Sequence, residues 1–180
     1  MAADVVSVLD AADVERRCAP RCAHYGTSGA PEAKVGDINV TVLRPSVMSM
    51  DLPDRFVELM RGRNPCFIST LMPDGSPHTT QTWVDTDGAY VIINTVQTHQ
   101  KMRNIERDPR VSVAVCDAAD PSRYYAVRGR VTNITTEGGA EHIEVLAQRY
   151  TGGPYQWYGG RDQVRVILTI TADRIHSMDR

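Results

Sequence analysis

The sequence lacks the short motifs that mark the commonest enzyme sites. It contains no G-x-G-x-x-G or P-loop for nucleotides, no H-E-x-x-H for zinc and no G-x-S-x-G elbow for acyl transfer. Its five histidines are dispersed, and its four cysteines do not have the spacing of a disulfide framework. We therefore predict no obligatory catalytic side chain and no metal site. If the chain is an enzyme, a bound cofactor is expected to carry the chemistry.

Long apolar runs and a strong net charge are also missing. No stretch approaches the roughly 20 apolar residues of a membrane span, and no cationic segment followed by an apolar run opens the chain. A net charge of −2 argues against a general nucleic-acid binder. The apolar fraction of 42% suffices for a buried core. We expect a cytoplasmic protein that binds no nucleic acid and has no membrane span.

The chain divides near Met50 into an N-terminal arm, 1–50, and a domain, 51–180. The arm is rich in helix breakers and small residues after a short helical pattern, which is typical of a partly irregular segment. It contains Cys18, Cys22 and His24, but their spacing fits no common zinc pattern and no fourth ligand is apparent.

From Asp51 onward the pattern predicts a mainly β domain with helices. A helix capped by Asp51, with Pro53 in its first turn, ends at Gly62. Further helices are predicted around Lys101 and over Gly138–Tyr150. The predicted strands are Cys66–Leu71, His78–Val84, Ala89–Thr95, Arg110–Asp117, Arg123–Thr135 and Gln163–Thr171. Hairpin-linked strands with interposed helices favour a small antiparallel barrel over a parallel βαβ sheet.

Lysine is scarce in this chain, with two lysines against eighteen arginines, and Lys101 is the only lysine after Asp51. Thr98 is a plausible helix N-cap, which places Lys101 in the first helical turn. A cation is unfavourable there because a helix N-terminus already carries roughly +0.5 charge. Free N–H groups and an ammonium together make a phosphate site. The alternative is a solvated surface lysine.

The threonine-rich strand His78–Val84 also has two interpretations. Threonine is a good β former, so the strand can be an ordinary exposed edge. Alternatively, its hydroxyl and amide groups form a polar strip that meets a heteroaromatic ring.

Several short motifs occur in an order and spacing that resemble the pyridoxamine-5′-phosphate-oxidase-like split β-barrel family. Within that family the chain is most similar to the branch that uses the deazaflavin coenzyme F420. The resemblance covers about residues 53–178. It rests on Asp74-Gly75-Ser76-Pro77-His78, Trp83-Val84-Asp85, Asn94-Thr95, Lys101-Met102-Arg103-Asn104-Ile105, Asp108-Pro109-Arg110-Val111, Gly129-Arg130-Val131, Glu137-Gly138, His142-Ile143 and Arg149-Tyr150-Thr151-Gly152.

The resemblance implies an FMN-binding type of split barrel with six or seven antiparallel strands and two or three helices. It also implies a homodimer with cofactor sites at the subunit interface. In flavin-binding relatives a threonine ends a strand and a lysine six residues later holds the phosphate, a spacing that Thr95 and Lys101 keep. His99 stands where relatives carry serine or arginine. The implied cofactor-binding residues are Asn94, Thr95, His99, Lys101 and Asn104, with Thr80, Gln81 and Thr82 lining the ring.

By resemblance, the expected activity is that of an F420H2-dependent reductase. Its hydride would pass to an unsaturated or conjugated small molecule, a class that includes biliverdin in one subgroup of relatives. The alternatives are an FMN-dependent oxidoreductase on the same fold, or a non-catalytic module that binds the cofactor or haem. The segment Gly152–Gly160, with Tyr155, Trp157 and Tyr158, is a candidate acceptor-side lid or a loop that packs its aromatics on the barrel.

Overall fold

A computed structural model describes residues 50–178. The expected N-terminal arm, with Cys18, Cys22 and His24, therefore lies outside the described residues apart from Met50. Within them are seven strands and three helices. The helices are α1 (Asp54–Arg61), α2 (Gln100–Arg107) and α3 (Gly139–Thr151). The strands are β1 (Cys66–Leu71), β2 (Pro77–Thr82), β3 (Val84–Thr86), β4 (Val91–Val96), β5 (Arg110–Cys116), β6 (Tyr124–Thr135) and β7 (Arg165–Ser177).

All seven strands belong to one sheet in the order β2-β1-β5-β6-β7-β4-β3, and every neighbouring pair is antiparallel. This confirms the predicted mainly β split barrel. Antiparallel strands that are near in sequence need only short connections. The two longest strands, β6 and β7, pair in the middle of the sheet.

The sheet is curled because two consecutive strands occupy its opposite edges. β2 and β3 are separated by Trp83 alone, yet they stand first and last in the strand order. One residue spans under 4 Å, so the two edges must meet there. The predicted continuous strand His78–Val84 was wrong at this point, since the chain changes from one edge to the other at Trp83.

The core fills the inside of this curl. Alternate residues of the strands face inward, as the period of two requires. The largest fully buried side chains include Phe56 and Met60 of α1, which packs against the core. Phe56 stacks on Tyr125 of β6, with ring centroids 5.1 Å apart. No helix within residues 50–178 is long and apolar enough to cross a lipid bilayer.

Both predicted helix caps lie one or two residues from the observed ones. The carbonyl of Pro53, not Asp51, accepts the first bonds of α1, from Phe56 and Val57. For α2 the N-cap is His99, whose carbonyl accepts from Met102 at 3.0 Å, while Thr98 belongs to the preceding turn. The predicted placement of Lys101 in the first helical turn is confirmed.

β6 and β7 are joined by a ladder with two irregularities, and one of them depends on a glycine. The register shifts between Arg128 and Gly129, which leaves Asp173 as an extra residue on β7. A Cβ on Gly129 would lie 2.1 Å from the Thr171 carbonyl oxygen. Because only glycine permits this approach, Gly129 fixes how the two longest strands cross.

We predict that Gly129→Ala destabilises the domain by about 1–3 kcal/mol or more, because the added methyl forces backbone apart rather than a flexible side chain. Urea unfolding followed by circular dichroism measures the change. Gly153→Ala is the matched control, since nothing lies within 4 Å of a Cβ there. Equal midpoints for the two variants would contradict the close approach at Gly129.

Candidate functional site

The end of β4 is where the polar groups of the domain converge. β4 pairs with the start of β7, so that Val96 lies opposite Arg165. The turn after β4 leads directly into α2, and the first residue of α3, Gly139, packs on the backbone of Arg165. Two helix N-termini and two strand ends therefore meet around Asn94, Thr95, Lys101 and Arg165.

Lys101 is buried at the N-terminus of α2, with 7% of its surface exposed. Burial, together with the charge of Arg165, lowers the pKa of Lys101 to about 8. No carboxylate within residues 50–178 lies at ion-pairing distance from its ammonium. The solvated surface lysine is thus excluded, and Lys101 is a buried cation with no counterion in the described part of the chain.

Arg165 is a second buried cation beside Lys101, also 7% exposed. Its Nε donates to Asn94 Oδ1 at 2.8 Å, and a terminal nitrogen donates to the Tyr155 hydroxyl at 3.3 Å. Its guanidinium carbon lies 5.1 Å from the centroid of the Tyr155 ring. Burial lowers the pKa of Arg165 as well. All of these partners are neutral, so two desolvated positive charges share one region without a carboxylate in the described part of the chain.

Two buried cations in this arrangement are costly unless an anion joins them. Desolvation of a charged group costs several kcal/mol in real proteins, and it is repaid only by a well-placed partner of opposite sign. An oxyanion such as phosphate would receive the Lys101 ammonium, the Arg165 guanidinium and the free N–H groups that open α2. The arrangement is therefore suited to hold a phosphate-bearing ligand.

Asn94 holds Arg165 in place rather than presenting a free amide. Its Oδ1 accepts from Arg165, while Nδ2 donates to the Gly139 carbonyl at 2.8 Å and contacts His142 Nδ1 at 3.3 Å. A Cβ on Gly139 would lie 2.5 Å from the Arg165 carbonyl oxygen, so this glycine allows α3 to pack closely on β7. Asn94 is 4% exposed and links β4, β7 and α3.

His142 connects this network to a buried carboxylate. Its Nε2 lies 3.3 Å from Asp85 Oδ2, and the other oxygen of Asp85 accepts from Arg149 at 2.9 Å. Burial by itself raises the pKa of Asp85, but hydrogen bonds from His142 and Arg149 outweigh burial and hold it well below its usual value. Because Asn94 donates through Nδ2, His142 Nδ1 must accept, which leaves the imidazole proton on Nε2 facing Asp85.

Thr95 and His99 lie together at the start of the turn. Thr95 is 2% exposed, and its hydroxyl is 3.3 Å from His99 Nδ1. The six-residue spacing from Thr95 to Lys101 therefore spans a strand end, a tight turn and the first turn of α2. A shared role of Thr95, His99 and Lys101 in binding a cofactor stays a prediction.

Asn104 is engaged within the chain, one turn further along α2. It is fully buried; Nδ2 donates to Thr70 Oγ1 at 2.9 Å, and Oδ1 accepts from Gln100 at 2.9 Å. These bonds fix α2 against β1. Its contribution to a ligand site is thus to orient the helix that carries Lys101.

The three residues of β2 that the family resemblance implies to line the cofactor ring do not share one face of the sheet. Thr80 and Thr82 lie opposite Ile68 and Cys66 of β1, on the inward face, whereas Gln81 lies opposite Phe67 on the outer face. Cys66 in turn lies near Lys101. Thr80 and Thr82 are therefore on the side of Cys66 and Lys101, and Gln81 is not.

Two buried polar atoms of β2, Thr80 Oγ1 and His78 Nδ1, have no hydrogen-bond partner among residues 50–178. They alternate along the strand, so both point to the face that bears Thr82. Buried polar groups in folded proteins are almost always satisfied, and an unpaired one indicates a missing partner. This observation favours the polar-strip interpretation of β2, with a ligand that supplies the partners.

The aromatic segment after α3 is anchored to the barrel. The Tyr155 ring meets Trp83 edge-on at 6.0 Å and Trp157 at 5.5 Å. Both carboxylate oxygens of Glu144 hold the segment, accepting from the Tyr155 backbone N–H at 2.8 Å and from the Trp157 indole at 3.0 Å. Tyr158 is 78% exposed. The loop therefore packs its aromatics on the barrel and leaves one ring for solvent or a ligand.

The buried cysteine near this site is not an activated nucleophile. Burial raises the pKa of the Cys66 thiol to about 12, so no thiolate forms there at neutral pH. Cys116 is half-buried. No group of three or more histidine, cysteine, aspartate or glutamate side chains within residues 50–178 is arranged to hold a metal ion.

Sequence reasoning missed Arg165 and the chain of contacts through Asp85, His142 and Asn94. Arg165 is one of eighteen arginines and stands at a strand start, with no motif around it. Its partner Asn94 is 71 residues away. Usable signals were present at Asp85, Asn94 and His142, which belong to motifs that resemble the family, but nothing in the sequence showed that these three residues contact one another.

Comparisons with known proteins agree with this fold. The family model for pyridoxamine 5′-phosphate oxidase matches residues 52–179. An F420 reductase of known structure is 28% identical, with a TM-score of 0.62 over 69% of this chain and 98% of its own. A conserved hypothetical protein from Mycobacterium tuberculosis is 25% identical, with a TM-score of 0.57 over 77% of this chain and 90% of its own.

A third structure, General Stress Protein 26 from Bacillus anthracis, shares the fold. It is 20% identical, with a TM-score of 0.52 over 69% of this chain and 91% of its own. A comparison with curated proteins finds no match.

We predict that Lys101→Met stabilises the ligand-free protein at pH 7. The pKa of Lys101 is about 8 in the fold against 10.5 when unperturbed. The unfolded chain thus binds the proton more tightly, and the penalty is on the order of 3 kcal/mol below both values. It fades as pH rises from about 8 to 10.5. Urea unfolding at pH 7 and at a pH near 10 measures both effects.

The matched control is Arg103→Met, which removes a charge from an exposed position of the same helix. It is expected to change stability by no more than about 0.5 kcal/mol. If Lys101→Met proved less stable than the parent at pH 7, the lysine would have a compensating partner and the anion-site argument would fail.

Proposed function

Because the chain belongs to the pyridoxamine 5′-phosphate oxidase family, we propose that it is a cytoplasmic oxidoreductase that uses the reduced deazaflavin F420H2. The second substrate is an unsaturated or conjugated small molecule. The observation that carries this proposal is the pair of buried cations, Lys101 and Arg165, which has no carboxylate counterion within residues 50–178. The F420 reductase that is 28% identical over 98% of its length supports the choice of cofactor.

The residues present fit such a cofactor at both of its ends. Its phosphate matches the cations and the N–H groups at the start of α2. The polar edge of its ring would supply partners for Thr80 Oγ1 and His78 Nδ1, which are buried and unpaired. When bound, the cofactor supplies the hydride chemistry. The chain itself binds the phosphate, orients the ring along β2 and excludes competing acceptors.

Within the proposed site, the residues have distinct roles. Lys101 and Arg165 would contact the phosphate, and Thr95 and His99 would shape the turn beside it. Asn94 and Asn104 would act by position, since their amides already bond to protein groups. Placement of reactants in this manner can account for roughly 7–11 kcal/mol of barrier reduction.

We further propose a homodimer. Gln81 faces the outer side of the sheet, away from Thr80 and Thr82. It can meet a cofactor ring if a second copy brings its own cofactor to that face. Phe67, directly opposite Gln81, is an exposed large apolar side chain at 38%, and burial of such a residue favours association.

FMN is the alternative cofactor, since it also carries a phosphate and a polar-edged ring. On that alternative the chain is an FMN-dependent oxidoreductase. A non-catalytic protein that only binds the cofactor would need the same site.

A titration of the purified protein with F420 and FMN side by side tests the cofactor. We expect F420 to bind more tightly, and we expect Lys101→Met and Arg165→Met each to weaken it about 10- to 150-fold, the cost of about 1.5–3 kcal/mol for a lost charge-assisted hydrogen bond. Arg103→Met, on the exposed side of α2, is the control and should bind normally. Unchanged affinity in both site variants would refute the phosphate site, and preference for FMN would select the alternative.

We also predict that no single side chain near the site is indispensable for turnover. Substitution of His78, His142 or Tyr155 should lower the rate by no more than about 10²-fold, the lower end for loss of a general acid. Steady-state kinetics with F420H2 and a menadione-type or biliverdin-type acceptor measures this. A loss of about 10⁴-fold at one position, with cofactor affinity intact, would identify a dedicated proton donor. No turnover with any acceptor, despite tight binding, would favour the non-catalytic alternative.

A further inference from the structure

Two arginines on the outer face of the sheet face each other, and no carboxylate within residues 50–178 pairs with either of them. Arg128 of β6 and Arg174 of β7 are directly opposite in the register, and both are exposed. Side chains in such a pair start about 4.5–5.5 Å apart, and like charges placed there destabilise the sheet. Neither arginine has an ion pair within the described residues. The sequence could avoid this repulsion at either position, so the pair calls for an explanation.

A neighbouring pair on the same face provides an internal comparison. Arg110 of β5 and Arg130 of β6 are also directly opposite. Each of them has its own carboxylate, Asp108 at 2.6 Å for Arg110 and Asp173 at 2.9 Å for Arg130. The domain therefore neutralises one cross-strand arginine pair completely.

The bulge at Asp173 explains why Arg128 and Arg174 have no carboxylate partner within the described residues. Asp173 precedes Arg174 in β7 and is the extra residue at the register shift. One of its oxygens binds Arg130, and the other is buried without a hydrogen-bond partner. The nearest carboxylate in sequence is thus directed to the neighbouring pair.

The charged pair lines a concave surface of about 400 Å³. Ser112 of β5 and His176 of β7 complete its polar lining, and Ala126 also borders it. A volume in this range is typical of small-molecule sites, which span roughly 300–1,000 Å³. Two planar guanidinium groups next to a hydroxyl match the fork geometry that binds phosphate and carboxylate oxygens.

This surface is remote from Lys101 and Arg165. Arg165 and Arg174 stand at opposite ends of β7, and nine residues of extended strand cover up to about 30 Å. Its charge is also exposed rather than buried, so an anion there would exchange with solvent and compete with salt.

We propose that Arg128 and Arg174, with Ser112 and His176, form a second oxyanion site, which binds the phosphate or carboxylate group of a small molecule. Because Asp173 pairs with Arg130, the positive charges of Arg128 and Arg174 would be free to bind an anion. The proposal is independent of the cofactor assigned to Lys101 and Arg165.

The test is a calorimetric titration of the full chain at low ionic strength with inorganic phosphate and, separately, with succinate as the carboxylate probe. It is made in the Lys101→Met/Arg165→Met background, which removes both cations of the site at α2. We expect saturable binding of at least one probe that weakens at least 10-fold in Arg128→Gln and in Arg174→Gln. Arg110→Gln is the matched control, since it removes an arginine that has its own carboxylate on the same sheet face.

Phosphate binding without succinate binding would assign the site to phosphate groups, and the reverse to carboxylates. No saturable binding of either probe, or equal weakening by Arg110→Gln, would overturn the proposal. Light scattering on the same samples separates a further case. If Arg128→Gln dissociates an oligomer, the arginines bind a carboxylate of a second copy and the small-molecule site is refuted.

Discussion

The single residue between β2 and β3 determines the architecture. Because Trp83 alone connects strands at opposite edges of a seven-stranded sheet, the sheet cannot lie flat. Its curl creates an enclosed core and leaves the threonine strand β2 at a seam. Trp83 then stacks on Tyr150 of α3, with ring centroids 5.2 Å apart and nearly parallel planes. The seam is thereby attached to the helix whose first residue packs on Arg165.

The site at the end of β4 follows from that closure. α3 is held at its end by the seam and by Tyr150, whose hydroxyl donates to the Asn64 carbonyl at 3.2 Å. Gly139 at the start of α3 allows the helix to approach β7 closely, and Asn94 ties both to β4. Arg165 is thus placed by three elements at once. These three elements together hold the desolvated Arg165 guanidinium in one position, although no carboxylate within residues 50–178 pairs with it.

Sequence reasoning succeeded where the physical signal was local. The hairpin-linked strands gave the barrel, and the six residues from Thr95 to Lys101 form a short strand–turn–helix unit that can be read along the chain. The alternation of a strand also implies that Gln81 faces away from Thr80 and Thr82. The edge change at Trp83 is different, because a run of alternating residues looks continuous until its partner strands are known. Arg165 was likewise hidden, since its burial arises from pairing between β4 and β7.

Two clusters of positive charge in a chain of net charge −2 differ in the physics that governs them. Lys101 and Arg165 lie in a low-dielectric environment, where attraction to an anion is strong and salt screens it little. Desolvation of these cations lowers the stability of the fold, and the lowered pKa of Lys101 reflects this cost. Arg128 and Arg174 are exposed, so their desolvation is small and their attraction is weak and salt-dependent. A buried pair of cations therefore favours tight binding of an anionic ligand, whereas an exposed pair favours weak binding and rapid exchange.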